Sequence, residues 1–460
     1  MLLVLLLLLS IAFIIFATAK LNLHPFLALL LTAFGFGIAS GMPLADVVKS
    51  VNDGFGGTIG SIGIVILAGT IIGVFLEKSG GAFRLAASIL RVTGERNAPL
   101  AMSIMGYIVS IPVFCDSGFV ILSALNKAVA KRAGISLAAT AIALALGLYA
   151  THTMVPPTPG PVAAAGIVGA DLGLTILWGM IIAAVTTVAG WLFSILVAAR
   201  IHIEPYRADE LPAAGTPAEA SAGAPAGETP VADADAPSAG KALIPIAVPI
   251  VLIVLRSIAE LPAKPLGTGG FVPLLSFLGQ PVVALLIGVG LALTLPKRLD
   301  KEMLSTTGWV GQAVVDAAII ITITGAGGAF GRVLQNSGIA KVIGESLASA
   351  NLGIWLPFLV AAGIKTAQGS STVSIITTAG LMAPLLPVLG LDGDTARALV
   401  VVAIGAGAMV VSHANDSFFW VVTQFSNMDA KTGYRLHTLG TLVQGLVGAT
   451  TVWVVGMFML

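Results

Sequence analysis

Ile111-Pro112-Val113-Phe114-Cys115-Asp116-Ser117-Gly118-Phe119 and Thr151-His152-Thr153-Met154-Val155-Pro156-Pro157-Thr158-Pro159-Gly160-Pro161 interrupt long apolar runs with residues that a lipid-facing helix avoids. The second half of the chain repeats the arrangement. Gly363-Ile364-Lys365-Thr366-Ala367-Gln368-Gly369-Ser370-Ser371-Thr372 is followed there by Ser412-His413-Ala414-Asn415-Asp416-Ser417. Broken helices at corresponding places in two halves are the mark of a secondary transporter whose substrate site lies where the breaks meet.

Composition fixes the setting. Of 460 residues, 57% are hydrophobic and 10% charged, with a mean hydropathy of +1.01. Most of such a chain lies in a bilayer. The net charge of +1 and the scatter of its basic residues give no footprint for nucleic acid. Cys115 is the single cysteine, so no internal disulfide can form. The first apolar run has no basic residue ahead of it and no cleavage pattern, and reads as a retained membrane helix.

On the ruler of about 20 apolar residues per span, two similar series emerge. The first holds segments 1–18, 22–40, 57–76, 97–126, 134–172 and 173–199; the second holds 243–260, 273–295, 309–331, 351–390, 397–428 and 438–460. Residues 204–241 between them are rich in Pro, Ala, Gly and acids, as a solvated, disordered linker would be. The expected organisation is therefore a first membrane repeat at 1–203, a cytoplasmic linker at 204–241 and a second repeat at 242–460. A sequence echo supports the pairing: Gly73 to Gly80 resembles Gly331 to Gly338 at an offset of 258 residues, and Thr151-His152 recurs as Ser412-His413.

Basic residues set the orientation. Lys78, Arg84, Arg91 and Arg96 precede segment 97–126, and Lys127, Lys131 and Arg132 follow it, so both of its ends face the cytoplasm and the segment must enter and return. Its tip is expected near Cys115-Asp116-Ser117-Gly118. Each half then has about five spanning helices, one re-entrant hairpin and one broken helix, and an odd number of crossings inverts the second half. With the linker inside, 16 of the 23 Lys and Arg are cytoplasmic and both termini lie outside.

Ionisable groups inside a membrane usually face a cavity or a partner. Those here are Asp116, His152, Lys365, His413 and Asp416, with Asp316 nearer the end of its segment. Asp116 could cap the returning hairpin helix, and Lys365 could snorkel to the interface. Both also suit a site: Lys365 lies three residues before Gln368-Gly369-Ser370-Ser371-Thr372, whose hydroxyls and helix N-terminus favour an anion. Histidine is the side chain best placed to carry a proton near neutral pH, so Asp116, His152, His413 and Asp416 are the proton-coupling candidates. No catalytic or metal constellation is evident, and an intramembrane enzyme is the remote alternative. No cofactor is expected.

The runs at 151–161, Ala367 to Val373 and Ser412 to Ser417 resemble those of the gluconate permease family, the gluconate:proton symporters of the ion transporter superfamily, and the likeness of layout covers essentially the whole chain. The resemblance implies a multi-pass bacterial inner-membrane symporter taking up gluconate or a related sugar acid, by an elevator-type movement and as a homodimer. Carried over by position, the substrate would meet Asp116, Ser117 and Gly118 at one hairpin and Gln368, Gly369, Ser370, Ser371 and Thr372 at the other, with Lys365 joining them on the positional reading above. His152, Thr153, His413, Asn415 and Asp416 would come from the unwound stretches. The chain departs from well-known gluconate carriers at Thr158, where they have a second histidine, and at Cys115-Asp116-Ser117-Gly118, where they have Tyr-Glu-Val-Gly. A sodium-coupled carboxylate carrier on the same architecture would use oxygen-rich tips, which Ser370-Ser371-Thr372 alone approaches.

Overall fold

The structure, a computed structural model, describes all residues except 1, 22, 95–96, 207–235, 261–265, 268, 340–351 and 414–415; the side chains of residues 15, 18, 19, 61, 62, 124, 260 and 368 are also outside the described set. The described residues are helical, with no strand among them. Of the expected linker, most lies outside the described residues, but its start is held. The Asn427 side-chain amide donates to the carbonyls of Glu204 and Pro205, and Lys131 sits 5.1 Å from the Tyr206 ring centre.

In the first half the helices are α1 (Leu2–Ala19), α2 (Pro25–Ala39), α3 (Leu44–Lys78), α4 (Gly81–Thr93), α5 (Ala98–Val109), α6 (Cys115–Ala133), α7 (Leu137–Met154), α8 (Pro159–Val168) and α9 (Leu172–Leu196). The second half has α10 (Ala239–Glu260), α11 (Val272–Leu278), α12 (Pro281–Ala292), α13 (Trp309–Asn336), α14 (Trp355–Gln368), α15 (Ser371–Met382), α16 (Asp394–Ala408), α17 (Ser417–Phe425) and α18 (Leu439–Met459). Among the described residues, five helical segments are long and apolar enough to cross a membrane, or seven if two bent pairs each count as one span. Shorter apolar helices, including α5, α14 and α15, account for the rest of the apolar sequence.

Sequence and structure differ in two instructive places. The expected span 57–76 is a 35-residue helix that begins at Leu44. Asn52, Asp53, Gly54 and Gly56, ahead of that expected span, are weak helix formers. Tertiary packing overrides that weakness, because α3 lies antiparallel along α13. A Cβ at Gly54 would meet the Gly328 carbonyl oxygen at 2.5 Å, one at Gly325 would meet Phe55 at 2.6 Å, and the Phe75 and Trp309 rings pack edge to face at 5.1 Å. Asn336 donates to Ser50 Oγ (2.8 Å) at one end of the pair.

The hairpin break also shifts. It falls at Ser110 to Phe114, where Ser110 Oγ donates to the Val113 carbonyl (3.0 Å), so Cys115, Asp116, Ser117 and Gly118 form the first turn of α6 instead of the tip. Pro112 sets that break, since proline cannot donate the helical N–H. Asp116 is consequently no cap: Phe114 occupies the N-cap position and no side chain caps the helix. In the other hairpin α14 ends at Gln368 and α15 begins at Ser371, with Gly369 at φ +93° making the turn. Here the side-chain cap exists, Val373 N donating to Ser370 Oγ (3.3 Å).

The α3/α13 contact leaves no room for a side chain at Gly54. Gly54→Val is expected to destabilise the protein by about 1–3 kcal/mol through overpacking, while Gly56→Ala, which has open space around it, should leave it unchanged or firmer; thermal unfolding in detergent measures both.

Candidate functional site

The two helix breaks and the two hairpins converge on one buried ion pair. Lys365, fully buried near the end of α14, places Nζ 2.5 Å from Asp416 Oδ2 and also donates to the Gly369 carbonyl. Asp416 Oδ2 accepts two further bonds, from Ser412 Oγ (2.5 Å) and from the Tyr149 hydroxyl (3.1 Å). Its other oxygen accepts from the Phe418 N–H (3.1 Å) and so caps α17. One carboxylate thus ties α7, α14, the unwound stretch after α16 and the start of α17. Lys365 does not snorkel; its ammonium is satisfied inside the protein, and charges are tolerated in such surroundings only with partners of this kind.

Around the pair stands an aromatic and histidine shell. Tyr149 lies 5.1 Å from the Phe418 ring and nearly parallel to His152 at 6.4 Å, and Phe114 flanks His152 at 5.9 Å. His437 Nε2 meets Ser412 Oγ at 3.0 Å, which connects a second buried histidine to Asp416 through one hydroxyl. His437 sits in a π-helical turn, Tyr434–Thr438, a wide turn that recurs at functional sites. The Tyr149 hydroxyl also meets the Ser371 side chain, and Ser417 bonds the Asp116 carboxylate. Asp116 Oδ1 and Nδ1 of both His152 and His437 are buried without a hydrogen-bond partner among the described residues. Buried polar atoms in that condition are rare in folded proteins and cluster where function needs them.

The expected site residues separate into groups. Lys365, Gly369 and Asp416 meet directly at the ion pair; Ser371 reaches it through the Tyr149 hydroxyl, and Asp116 approaches it through Ser417 on α17. His152 stands behind Tyr149. His413 is at the edge, with Nε2 2.9 Å from the Thr366 carbonyl oxygen, and it pins the unwound stretch to α14. Ser370 and Thr372 face the hairpin turn, and Ser117 lines a small cavity beside Pro112 and Phe114.

Two residues are engaged in packing instead. The Thr153 hydroxyl donates to the Tyr149 carbonyl of its own helix (3.0 Å), and a Cβ on Gly118 would meet Leu148 at 2.8 Å. Asp316 lies away from the pair, in the small cavity near Lys78. Asn415 and the Gln368 side chain lie outside the described residues. Sequence reasoning missed Tyr149, Ser412 as a ligand of Asp416, and His437. The available signals were a tyrosine one turn before His152 in an otherwise apolar helix, and a histidine heading the last apolar run.

Lys365→Met leaves Asp416 buried without its counter-charge and is expected to cost about 3–5 kcal/mol of stability. Lys365→Met with Asp416→Asn should recover part of that loss. Thermal unfolding of the purified variants measures both, and an additive double variant would contradict the pairing.

Comparison with known proteins shows which family the chain belongs to. The model of the GntP family permeases matches residues 1–458. The gluconate permease of Pseudomonas aeruginosa is 37% identical over 93% of this chain and 92% of its own length. The D-serine transporter DsdX of Escherichia coli O6:H1 is 32% identical over 96% of this chain and 95% of its own. Among solved structures, the YdaH transporter of Alcanivorax borkumensis superposes with a TM-score of 0.63 at 17% identity, covering 95% of this chain and 98% of that one, which shows a shared fold. The chain belongs to the GntP permease family: it is a multi-pass transporter of the bacterial inner membrane and not an enzyme.

Proposed function

We propose that the protein takes up gluconate or a closely related sugar acid together with a proton, and that Asp416 carries the proton. The Lys365–Asp416 pair is the observation behind this reading. As it stands the pair is neutral overall. A substrate carboxylate arriving beside it would bring a net negative charge into the bilayer interior, which is costly. Protonation of Asp416 removes that charge and frees Lys365 to meet the substrate carboxylate at the N-terminus of α15, where backbone N–H groups add to the attraction. Ser412 and Tyr149 can rotate their hydroxyls to serve either form of Asp416.

Coupling to sodium is less consistent with the geometry. A carboxylate oxygen of Asp416 and the Gly369 carbonyl oxygen are the kind of hard oxygen ligands that a sodium ion would need, and the Lys365 ammonium already sits between them. The substrate is taken from the relatives: several are gluconate permeases, and DsdX is named for D-serine. D-Serine is a smaller hydroxy acid whose carboxylate the same lysine could hold. Among the two, the anionic sugar acid matches a site whose one free charge on protonation would be a cation.

Inverted repeats and an elevator movement complete the proposal. The helices of the two halves follow one order: α3 corresponds to α13, the α5/α6 hairpin to α14/α15, the α7/α8 break to α16/α17, and α9 to α18. Repeat partners nevertheless meet different neighbours. Gly73 of α3 lies against the Pro112 carbonyl at the first hairpin's break, whereas its partner Gly331 lies against Gly380, far along α15 from the second hairpin's turn. Exchanging the two environments slides the hairpins outward along α13 by about 11 residues, or about 16 Å at 1.5 Å per residue. The arrangement described here is then the inward-facing one.

Purified protein in liposomes is expected to accumulate labelled gluconate under an inward proton gradient, with Asp416→Asn still exchanging gluconate across the membrane but no longer driven by the gradient. Accumulation that follows a sodium gradient instead would end the proton assignment. A disulfide between cysteines at Val74 and Ser117 should trap the inward form, and one between Arg332 and Val373 the outward form.

A further inference from the structure

A cavity lies away from the ion pair. It holds about 350 Å³ and opens between the Asp53 to Thr58 stretch of α3, the Gly328 to Gln335 stretch of α13, and the far ends of α8 and α15. That volume is at the lower end of the range for small-ligand sites. Two arginines line it. Arg397 is held by its bonds to the carbonyls of Asp392 (2.8 Å, from Nε) and Gly169 (3.2 Å, from Nη1), and Arg332 donates to Gln335 Oε1 (2.8 Å). Neither guanidinium forms an ion pair with a carboxylate among the described residues. Gly169 makes room for the first: at φ +68°, a Cβ there would lie 2.7 Å from Arg397 Nη1.

The cavity is connected to the site by the helices themselves. α8 begins beside Thr158 at the break and ends at Gly169 in the cavity wall, a run of 10 residues, or about 15 Å. α15 runs alongside it from the Ser370 cap to Ala383.

A second, smaller cavity of about 60 Å³ occupies the other end of the α3/α13 pair, beside the first hairpin's break. At the 258-residue offset the two cavities are lined by repeat partners with different charge. Glu77 in the small cavity corresponds to Gln335 in the large one, Asp316 to Thr58, and Val74 to Arg332. The small cavity carries two carboxylates against Lys78, and the large one two guanidiniums against Asp53.

We propose that the large cavity is an outer docking site for the carboxylate of the sugar acid, held by Arg332 and Arg397 before the anion reaches Lys365, and that the acidic inner cavity disfavours its return. This rests on the uptake reading and on the orientation set by the basic loops. A charged cleft of this kind concentrates a ligand of opposite sign and speeds its arrival, an effect that falls with ionic strength. It leaves the equilibrium untouched and makes the two faces kinetically unequal.

The test separates the docking site from the transport reading. Gln335→Cys, an exposed position in the cavity wall, is labelled from outside with methanethiosulfonate reagents carrying either a sulfonate or a trimethylammonium group; Pro387→Cys serves if the first variant does not fold. Native Cys115 is buried. We expect the sulfonate reagent to be favoured, the preference to invert in Arg332→Val/Arg397→Gln, and added gluconate to slow labelling only while the arginines are present. In the variant without added cysteine, the double substitution should raise the gluconate KM measured from outside more than that from inside. An unchanged reagent preference would overturn the docking site. Preference and gluconate protection in a protein that moves no gluconate would sustain the docking site and defeat the transport reading.

Discussion

The Lys365–Asp416 ion pair is the interaction on which the rest of this molecule depends. Two remote helices, through Lys365 and Tyr149, are joined at one carboxylate to the local stretch that carries it, through Ser412 and the Phe418 N–H. Two of those segments are broken helices or their flanks, and their unwound backbone is tolerable within a membrane only where protein or a polar cavity satisfies it. The pair holds the broken elements together; on the proposed reading it also keeps a positive charge in reserve whose partner is exchanged.

Glycine explains how the surrounding frame can carry such a site. The α3/α13 contact is close because Gly54, Gly325 and Gly328 have no side chains at the crossing. The α7/α8 break approaches the same helices at Gly69 and the hairpins at Gly73, Gly327 and Gly331, where Pro157, Pro112, Ile376 and Gly380 respectively come within contact of an added Cβ. Small residues let backbones approach in a membrane, where packing and not hydrophobicity drives helix association. The same smooth surfaces suit a movement in which one set of helices changes its neighbours along another.

Much of this was legible in the sequence, for physical reasons. Pro156-Pro157 separates α7 from α8, Pro159 and Pro161 fit only the first turn of a new helix, and Gly369 at φ +93° makes the turn between α14 and α15. Charged residues in apolar runs identified Lys365 and Asp416, since their cost in lipid demands a purpose. What escaped notice was what tertiary structure decides. The glycine-rich start of α3 is helical because α13 packs against it, and Asp116 lies inside a helix because the turn closes earlier, at Ser110. Tyr149 and His437 gained their importance from a partner hundreds or tens of residues away, which no local pattern records. Conversely, Thr153 and Gly118 carry the family's motif and yet are spent on helix bonding and packing.

The central claim is an exchange of partners: the substrate carboxylate takes Asp416's place beside Lys365 as Asp416 takes up a proton. Calorimetric titration of the purified protein with gluconate, repeated in buffers of different ionisation enthalpy, counts protons taken up on binding and tests this most directly. The account predicts an uptake of about one proton per anion bound near neutral pH, by linkage, and none in Asp416→Asn. A binding enthalpy independent of the buffer in the wild-type protein would contradict it.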